Sequence, residues 1–204
     1  MKLAESGLAD VVFTPMVYEP TQLFLTSNRD GNGEDHYGYM FTIIRHPVKR
    51  AVSLYYYLKE NPWDDQVARD LQSMTLDQYA RSQYVENNLM TRILSNHMGG
   101  ALTDENVRTA KEVLRRKFLV GMFDDMKFSM KRFEKRFGWY AADEETEACE
   151  AAIIANKMDK YLDDPMVQEG TGVWNLLLKQ NQYDMELYKF AELLFLNQRN
   201  DNSN

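Results

Sequence analysis

Cysteine is almost absent from this 204-residue chain: Cys149 stands alone, which excludes an internal disulfide framework and a thiolate zinc site. It lies in an acidic stretch without basic neighbours, and is read as chemically inert. Five prolines and ten glycines are too few for a low-complexity or collagen-like chain. Long apolar runs are also missing, so no segment reaches the roughly 20 residues that a membrane helix needs. The opening Met1-Lys2-Leu3-Ala4-Glu5 does not start a signal peptide, and nothing visible targets the chain. There are only three histidines, His36, His46 and His97, and no metal-ligand spacing links them. Basic charge is in deficit, with 24 Lys and Arg against 31 Asp and Glu and a net charge of −7. A globally acidic chain is not steered toward nucleic acid, so a phosphate site must be built locally by a few cations.

What is present is core material. Apolar residues make up 44% of the chain and aromatics 12%, enough for one globular domain, expected over residues 1–198. The tail at 199–204 is expected to be disordered. Charge is uneven: residues 101–140 hold ten basic and six acidic side chains, whereas 141–204 hold five and thirteen.

Residues 11–18 and 22–26 read as short extended pieces interrupted by Pro15 and Pro20, followed by a polar surface loop from Ser27 to Asp35. The uncharged run at 39–44, Tyr-Met-Phe-Thr-Ile-Ile, predicts a strand buried on both faces of a parallel sheet. It stops at Arg45-His46-Pro47, and Pro47 suits the first turn of a helix continued by Val48, Val52, Tyr55 and Tyr56. Helices are expected around 75–82, over 86–97, and over 104–117, where Thr103 can cap and Leu102 can pack on Val107. Phe118-Leu119-Val120-Gly121-Met122-Phe123 is the second buried strand, parallel to the first. Met126, Met130, Phe133 and Phe137 then mark one apolar helix face, ended by Gly138. Residues 145–162 form a more acidic helix. A longer one follows from Trp174 through Leu177, Asn181, Asp184, Tyr188, Ala191 and Phe195 to Gln198, with a break near Asn181. Strands separated by helices predict a helix-rich α/β unit.

Arg45 falls at the carboxyl end of a predicted buried strand, where open α/β sheets bind ligands, and Ser53 lies eight residues on in the following helix. A guanidinium fork matches a phosphate with two charge-assisted bonds, and a serine hydroxyl can add a third. Taken alone, the pair is equally a surface arginine near a helix start and an ordinary helical serine. The wider string Phe41-Thr42-Ile43-Ile44-Arg45-His46-Pro47-Val48-Lys49-Arg50-Ala51-Val52-Ser53-Leu54-Tyr55-Tyr56-Tyr57 resembles the 3′-phosphate-binding segment of sulfotransferases that use 3′-phosphoadenosine 5′-phosphosulfate (PAPS), particularly the Golgi carbohydrate O-sulfotransferases. Weaker echoes occur at 88–94, at 118–122 and from Trp174 to Gln198, in that family's order.

The resemblance implies a P-loop-NTPase-like parallel sheet flanked by helices, PAPS as donor, Arg45 and Ser53 on its 3′-phosphate, a carbohydrate hydroxyl as acceptor, no metal, and the Golgi lumen as compartment. The family also begins with a loop in which a lysine and small hydroxyl residues cradle the 5′-phosphosulfate. No lysine here precedes such a loop, and Gly170-Thr171-Gly172 lies far downstream. The domain is therefore expected to be amino-terminally truncated and incomplete, or a non-catalytic remnant that binds nucleotide or another protein. The family leaves no catalytic base identified here. His36 sits in a loop, His46 is expected to line or support the phosphate site, and His97 to end a helix.

Other groups carry bland readings. Tyr55, Tyr56 and Tyr57 point in three directions from a helix and read as packing rather than an adenine platform. Lys127, Lys131 and Lys135, with Arg132 and Arg136 beside them, form a charged face that could grip an anionic saccharide but reads as solvated. Arg108, Lys111, Arg115 and Arg116 read the same way. Asp64-Asp65, Asp124-Asp125 and Asp163-Asp164 lack calcium-loop spacing, and Trp174 belongs to a core seam.

Overall fold

The computed structural model describes residues 11–15, 17–23, 28–29, 35–36, 40–61, 65–140, 143–157 and 167–201. A short helix, α1 (Tyr18–Leu23), and a two-residue antiparallel pair, β1 (Asn28–Arg29) with β2 (Asp35–His36), precede the centre of the molecule. That centre is a parallel pair of strands, β3 (Met40–Ile44) and β4 (Phe118–Met122), in register from Met40 opposite Phe118 to Ile44 opposite Met122. Between them run α2 (Pro47–Glu60), α3 (Asp65–Ser73), α4 (Leu76–Ala80), α5 (Leu89–Ser95) and α6 (Asp104–Lys117). After β4 come a 3-10 turn at Phe123–Asp125, α7 (Met126–Phe137), α8 (Glu144–Lys157), α9 (Gly172–Gln180) and α10 (Gln182–Asp201). The chain is thus mixed helix and sheet, with helix dominating. No helix among the described residues is long and apolar enough to cross a membrane.

Two cores flank the strand-to-helix junction at Arg45. One joins Ile44, Val120 and Met122 of the sheet to Leu114 of α6 and Leu187 and Ala191 of α10. The other packs Val48, Val52 and Tyr55 of α2 on Leu71, Tyr79 and Leu177. Fully burying one such leucine contributes about 1.5–3 kcal/mol, so both ends of the junction are anchored in apolar contact.

The helix boundaries follow local chemistry. Thr103 N–H donates to Asn106 Oδ1 at 2.9 Å, closing the start of α6. Its acidic first turn and its basic last turn of Arg115, Arg116 and Lys117 both suit the helix dipole. α5 is shorter than the expected 86–97 because Asn88 and Asn96 adopt left-handed conformations, φ 52° and 53°, at its two ends. Gly138, at φ 72°, ends α7 as expected.

Several expectations need correction. Tyr18–Leu23 is helical rather than extended, because Pro20 falls in the first turn, where its missing N–H costs nothing. The polar loop from 27 to 35 contributes strand residues to the β1–β2 pair. β3 is not buried on both faces: Ile43 is 38% exposed and Met40 through Thr42 are half-buried, since the sheet has only two strands among the described residues. α8 is described to Lys157, with 158–162 outside the described residues. α10 continues through Asp201, so the boundary expected after 198 falls inside a helix, while 202–204 lie outside the described residues.

The largest correction concerns α7. Its buried face is Ser129, Arg132 and Phe133, and Arg132 belongs to the core rather than to the charged face. β4 explains why. Gly121 lets α7 approach so closely that a Cβ there would lie 2.8 Å from Phe133 Cζ and 2.9 Å from Ser129 Cβ. The outer edge of β4 is then satisfied by side chains. Arg132 donates to Val120 O and Phe195 O, Ser129 Oγ accepts from Met122 N, and Gln198 bridges Val120 N and Phe118 O. A strand edge that would otherwise need a neighbour is sealed without one.

Candidate functional site

The carboxyl ends of β3 and β4 lie side by side, with Ile44 opposite Met122. From β3 the chain passes through Arg45 and His46 straight into α2, with His46 in an extended cap conformation, φ −51° and ψ 126°, and Pro47 as the first helical residue. Pro47 fixes the entry angle, and the open N–H groups of the first turn place the positive end of the helix at the sheet's carboxyl edge. Arg45 is half-buried, its guanidinium 4.4 Å from the centre of the Phe123 ring, so the residue after β3 reaches the residue after β4. Ser53, also half-buried, lies about 9 Å along α2 from Pro47. By helical spacing it falls one turn beyond Lys49 and Arg50 and between them in azimuth.

His46 is fixed by aromatics. Its ring stacks on Trp174 at 5.1 Å and meets Tyr188 edge-on at 5.2 Å. Burial, and secondly the Lys49 ammonium, hold its pKa below the usual imidazole value, only partly offset by Asp124 and Glu169. Its Nδ1 is buried with no hydrogen-bond partner among the described residues. A neutral imidazole wedged between rings supports the site and is poorly placed to act as a base. Trp174 keeps its position in the helical seam and also props His46, a role its place in the seam did not announce.

Beyond His46, Lys49 Nζ lies 3.2 Å from Asp124 Oδ2 and 3.3 Å from Oδ1, joining the first turn of α2 to the end of β4. The Tyr188 hydroxyl donates to the same carboxylate at 3.5 Å. Burial and the negative charges of Asp124 and Glu192 push the Tyr188 pKa up.

Behind this edge lies a buried polar network. Arg50 donates from Nε to Glu86 at 2.7 Å and from Nη2 to Asp184 at 2.8 Å. Asp184 is fully buried and also accepts from Thr91 N and Thr91 Oγ1, both at 2.7 Å, and from Met90 N at 3.0 Å. Burial alone would lower the Arg50 pKa, but the two carboxylates more than reverse this. Asn88 Oδ1 accepts from Tyr183 N and Asp184 N, capping α10, while Asn88 N donates to Asn181 Oδ1. The network thus locks α2, α5 and the α9–α10 break into one frame, with Arg50 one residue from Lys49. The only sequence signal for it was two polar residues, Asn181 and Asp184, on an otherwise apolar seam.

The remaining candidates do not join the site. His36 is in β2, and its side chain lies outside the described residues. His97 follows the end of α5, with Nε2 3.2 Å from Ala101 O. Tyr55 is core, its hydroxyl donating to Met74 O at 2.7 Å, and Tyr57 is exposed. Lys127, Lys131, Lys135 and Arg136 lie on α7 outside its buried face. On α6, Arg108 pairs with Glu105, Arg115 and Arg116 with Glu112, and Lys111 with Glu186, surface pairs of little energetic weight. A shallow depression of about 350 Å³ there is lined by Arg108, Glu112, Val113 and Arg116 of α6 and by none of the residues that follow β3 or β4. Cys149 is exposed on α8. Of the acid pairs only Asp124-Asp125 is fully described, and among the described residues no group of three His, Cys, Asp or Glu is placed to hold a metal ion. No family model, curated protein or solved structure matches the chain.

Proposed function

We propose that this chain is a PAPS-dependent sulfotransferase domain whose sheet is of the P-loop-NTPase type and whose strand-end cleft anchors the donor by its 3′-phosphate, with a carbohydrate hydroxyl as acceptor. The observation that carries the reading is the junction itself. Arg45 ends a parallel strand, Pro47 starts α2 at once, and Ser53 lies on the helix face turned by spacing toward Lys49 and Arg50. Two features that bind phosphate lie together there, a guanidinium fork and a helix amino terminus, and the Ser53 hydroxyl stands about 9 Å further along the same helix. The family likeness of residues 41–57 adds the identity of the nucleotide and, with it, the Golgi lumen as the expected compartment.

In sulfuryl transfer the acceptor hydroxyl gives its proton to a base and its oxygen bonds to sulfur as the bond to the 5′-phosphate oxygen breaks, and 3′-phosphoadenosine 5′-phosphate leaves. Catalysis then depends on positioning and on charge stabilisation at the sulfuryl oxygens. The residues assigned here do the positioning: Arg45 and Ser53 hold the far end of the donor, and the Arg50–Asp184 network keeps α2 rigid beneath it. No lysine-led loop of small hydroxyl residues stands in these 204 residues. The part assigned to them is therefore donor anchoring, which equally serves a nucleotide-binding module without transfer activity.

Isothermal titration of the whole chain with 3′-phosphoadenosine 5′-phosphate and with adenosine 5′-phosphate tests this. The first should bind measurably and the second far more weakly, and Arg45→Ala should abolish the difference, a loss of about 1–3 kcal/mol. Equal affinity for the two nucleotides, or an unchanged preference in the alanine variant, removes the anchor and with it the function proposed.

A further inference from the structure

Lys49 stands between the two proposed anchor residues in sequence, four positions after Arg45 and four before Ser53, and shares one side of α2 with Ser53. Its ammonium is half-buried and turned to the carboxyl edge of the sheet, where it meets the Asp124 carboxylate at 3.2 Å. Asp124 closely follows β4 as Arg45 follows β3, because the register carries Ile44 opposite Met122. Phe123, the residue before Asp124, is the ring on which the Arg45 guanidinium rests. A carboxylate is thus held just past the strand ends, paired with Lys49 of the first turn of α2 and next in sequence to the ring that Arg45 covers.

Building on the phosphate-anchor reading, we infer that Asp124 is the resting counter-anion of the site and Lys49 a third phosphate contact. Without nucleotide the internal carboxylate neutralises the ammonium. When the 3′-phosphate arrives at Arg45 and Ser53, Lys49 exchanges Asp124 for the phosphate, whose higher charge density and three oxygens give stronger charge-assisted bonds. Both side chains have the freedom for this exchange, being 28% and 39% exposed, and exposed pairs of this kind are weakly held. Asp124 lowers affinity by competing for Lys49 and rejects weakly charged anions, which do not displace it. The same geometry predicts that nucleotide binding frees Asp124 for its second partner, the Tyr188 hydroxyl at 3.5 Å.

The probe is 3′-phosphoadenosine 5′-phosphate, titrated into the unaltered chain and into D124N, K49M, the double variant and R45A, with thermal unfolding of each recorded alongside. D124N should bind about three- to tenfold more tightly and K49M about tenfold more weakly, each change the size expected of one partly exposed hydrogen bond. The tighter binding of D124N should vanish in the K49M background, because it operates only through the ammonium. K49R should retain most of the affinity. If R45A abolishes binding while D124N binds no more tightly than the unaltered chain, the phosphate anchor stands and the counter-anion is overturned. Tighter binding by D124N that persists in K49M also overturns it, by assigning Asp124 to general repulsion. If the unaltered chain does not bind the nucleotide, or R45A binds it equally, both readings fall together.

Discussion

The buried Asp184 carboxylate offers the sharpest test of how the frame behind the strand ends is held. It accepts four hydrogen bonds, from Arg50 Nη2, Met90 N, Thr91 N and Thr91 Oγ1, and is fully buried. In Asp184→Ala the two backbone donors lose their acceptor and Arg50 keeps only Glu86. A buried pair broken on one side costs about 3–5 kcal/mol, most of it the penalty of leaving charge and donors unsatisfied. Asp184→Asn is milder: its oxygen retains both Thr91 bonds, but its amide faces the Met90 N–H and the guanidinium, donor against donor, for a loss of about 2–3 kcal/mol. The assay is urea unfolding followed by circular dichroism. With a slope of about 2 kcal/mol per molar urea, the midpoint should fall by about 1–1.5 M for the asparagine variant. Arg50→Met should cost a similar amount, and the double variant much less than the sum of the two. A midpoint shift for Asp184→Asn below about 0.3 M, or strict additivity with Arg50→Met, would show that the network is not coupled as described.

Three further outcomes follow from particular contacts. Gly121→Ala places a methyl 2.8 Å from Phe133 Cζ and 2.9 Å from Ser129 Cβ; urea unfolding should show a loss of about 1–3 kcal/mol, and an unchanged midpoint would mean that α7 does not rest on β4 as closely as this. Tyr79 has a hydroxyl buried without a partner among the described residues, and burial pushes its pKa up; Tyr79→Phe should leave stability unchanged or raise it by up to about 1 kcal/mol, while a marked loss would reveal a partner for that hydroxyl. His46 has a folded pKa below its unfolded value of 6.5. The unfolded chain therefore takes up the proton first, and stability falls as pH drops from about 6.5 toward the lower folded value. His46→Phe should flatten that part of the stability profile, and an unchanged slope would place the titration elsewhere.

Much of the centre was legible because each piece carries a strong local signal. The uncharged runs at 40–44 and 118–122 read as strands and pair in parallel, although only β4 is largely buried, and Pro47, Thr103 and Gly138 punctuate the helices as their backbone limits require. The site was legible only in part. Arg45 and Ser53 stood out as candidates through the family likeness of residues 41–57, since a strand end, a proline and a helix in succession fit a surface arginine and an ordinary helical serine as well. Lys49 and Asp124 did not, since their meeting depends on the β3–β4 register, and Asp124-Asp125 alone looks like any solvated acid pair. Arg132 shows the same limit from the other side: a cation among cations on a helix gives no sign that the Val120 and Phe195 carbonyls and the Phe195 ring await it. Pro20 misled by its usual meaning, because its position within the helix decides whether it breaks or merely begins it.

The central claim is that the cleft recognises a phosphate at the 3′ position. Phosphorus NMR of 3′-phosphoadenosine 5′-phosphate, titrated with the chain across pH, resolves its two phosphates in one sample. The account predicts that the 3′ resonance shifts on binding and that its second ionisation moves to lower pH, held down by Arg45, while the 5′ resonance changes little; Arg45→Ala should erase the difference. A response confined to the 5′-phosphate, or one shared equally by both, would contradict it.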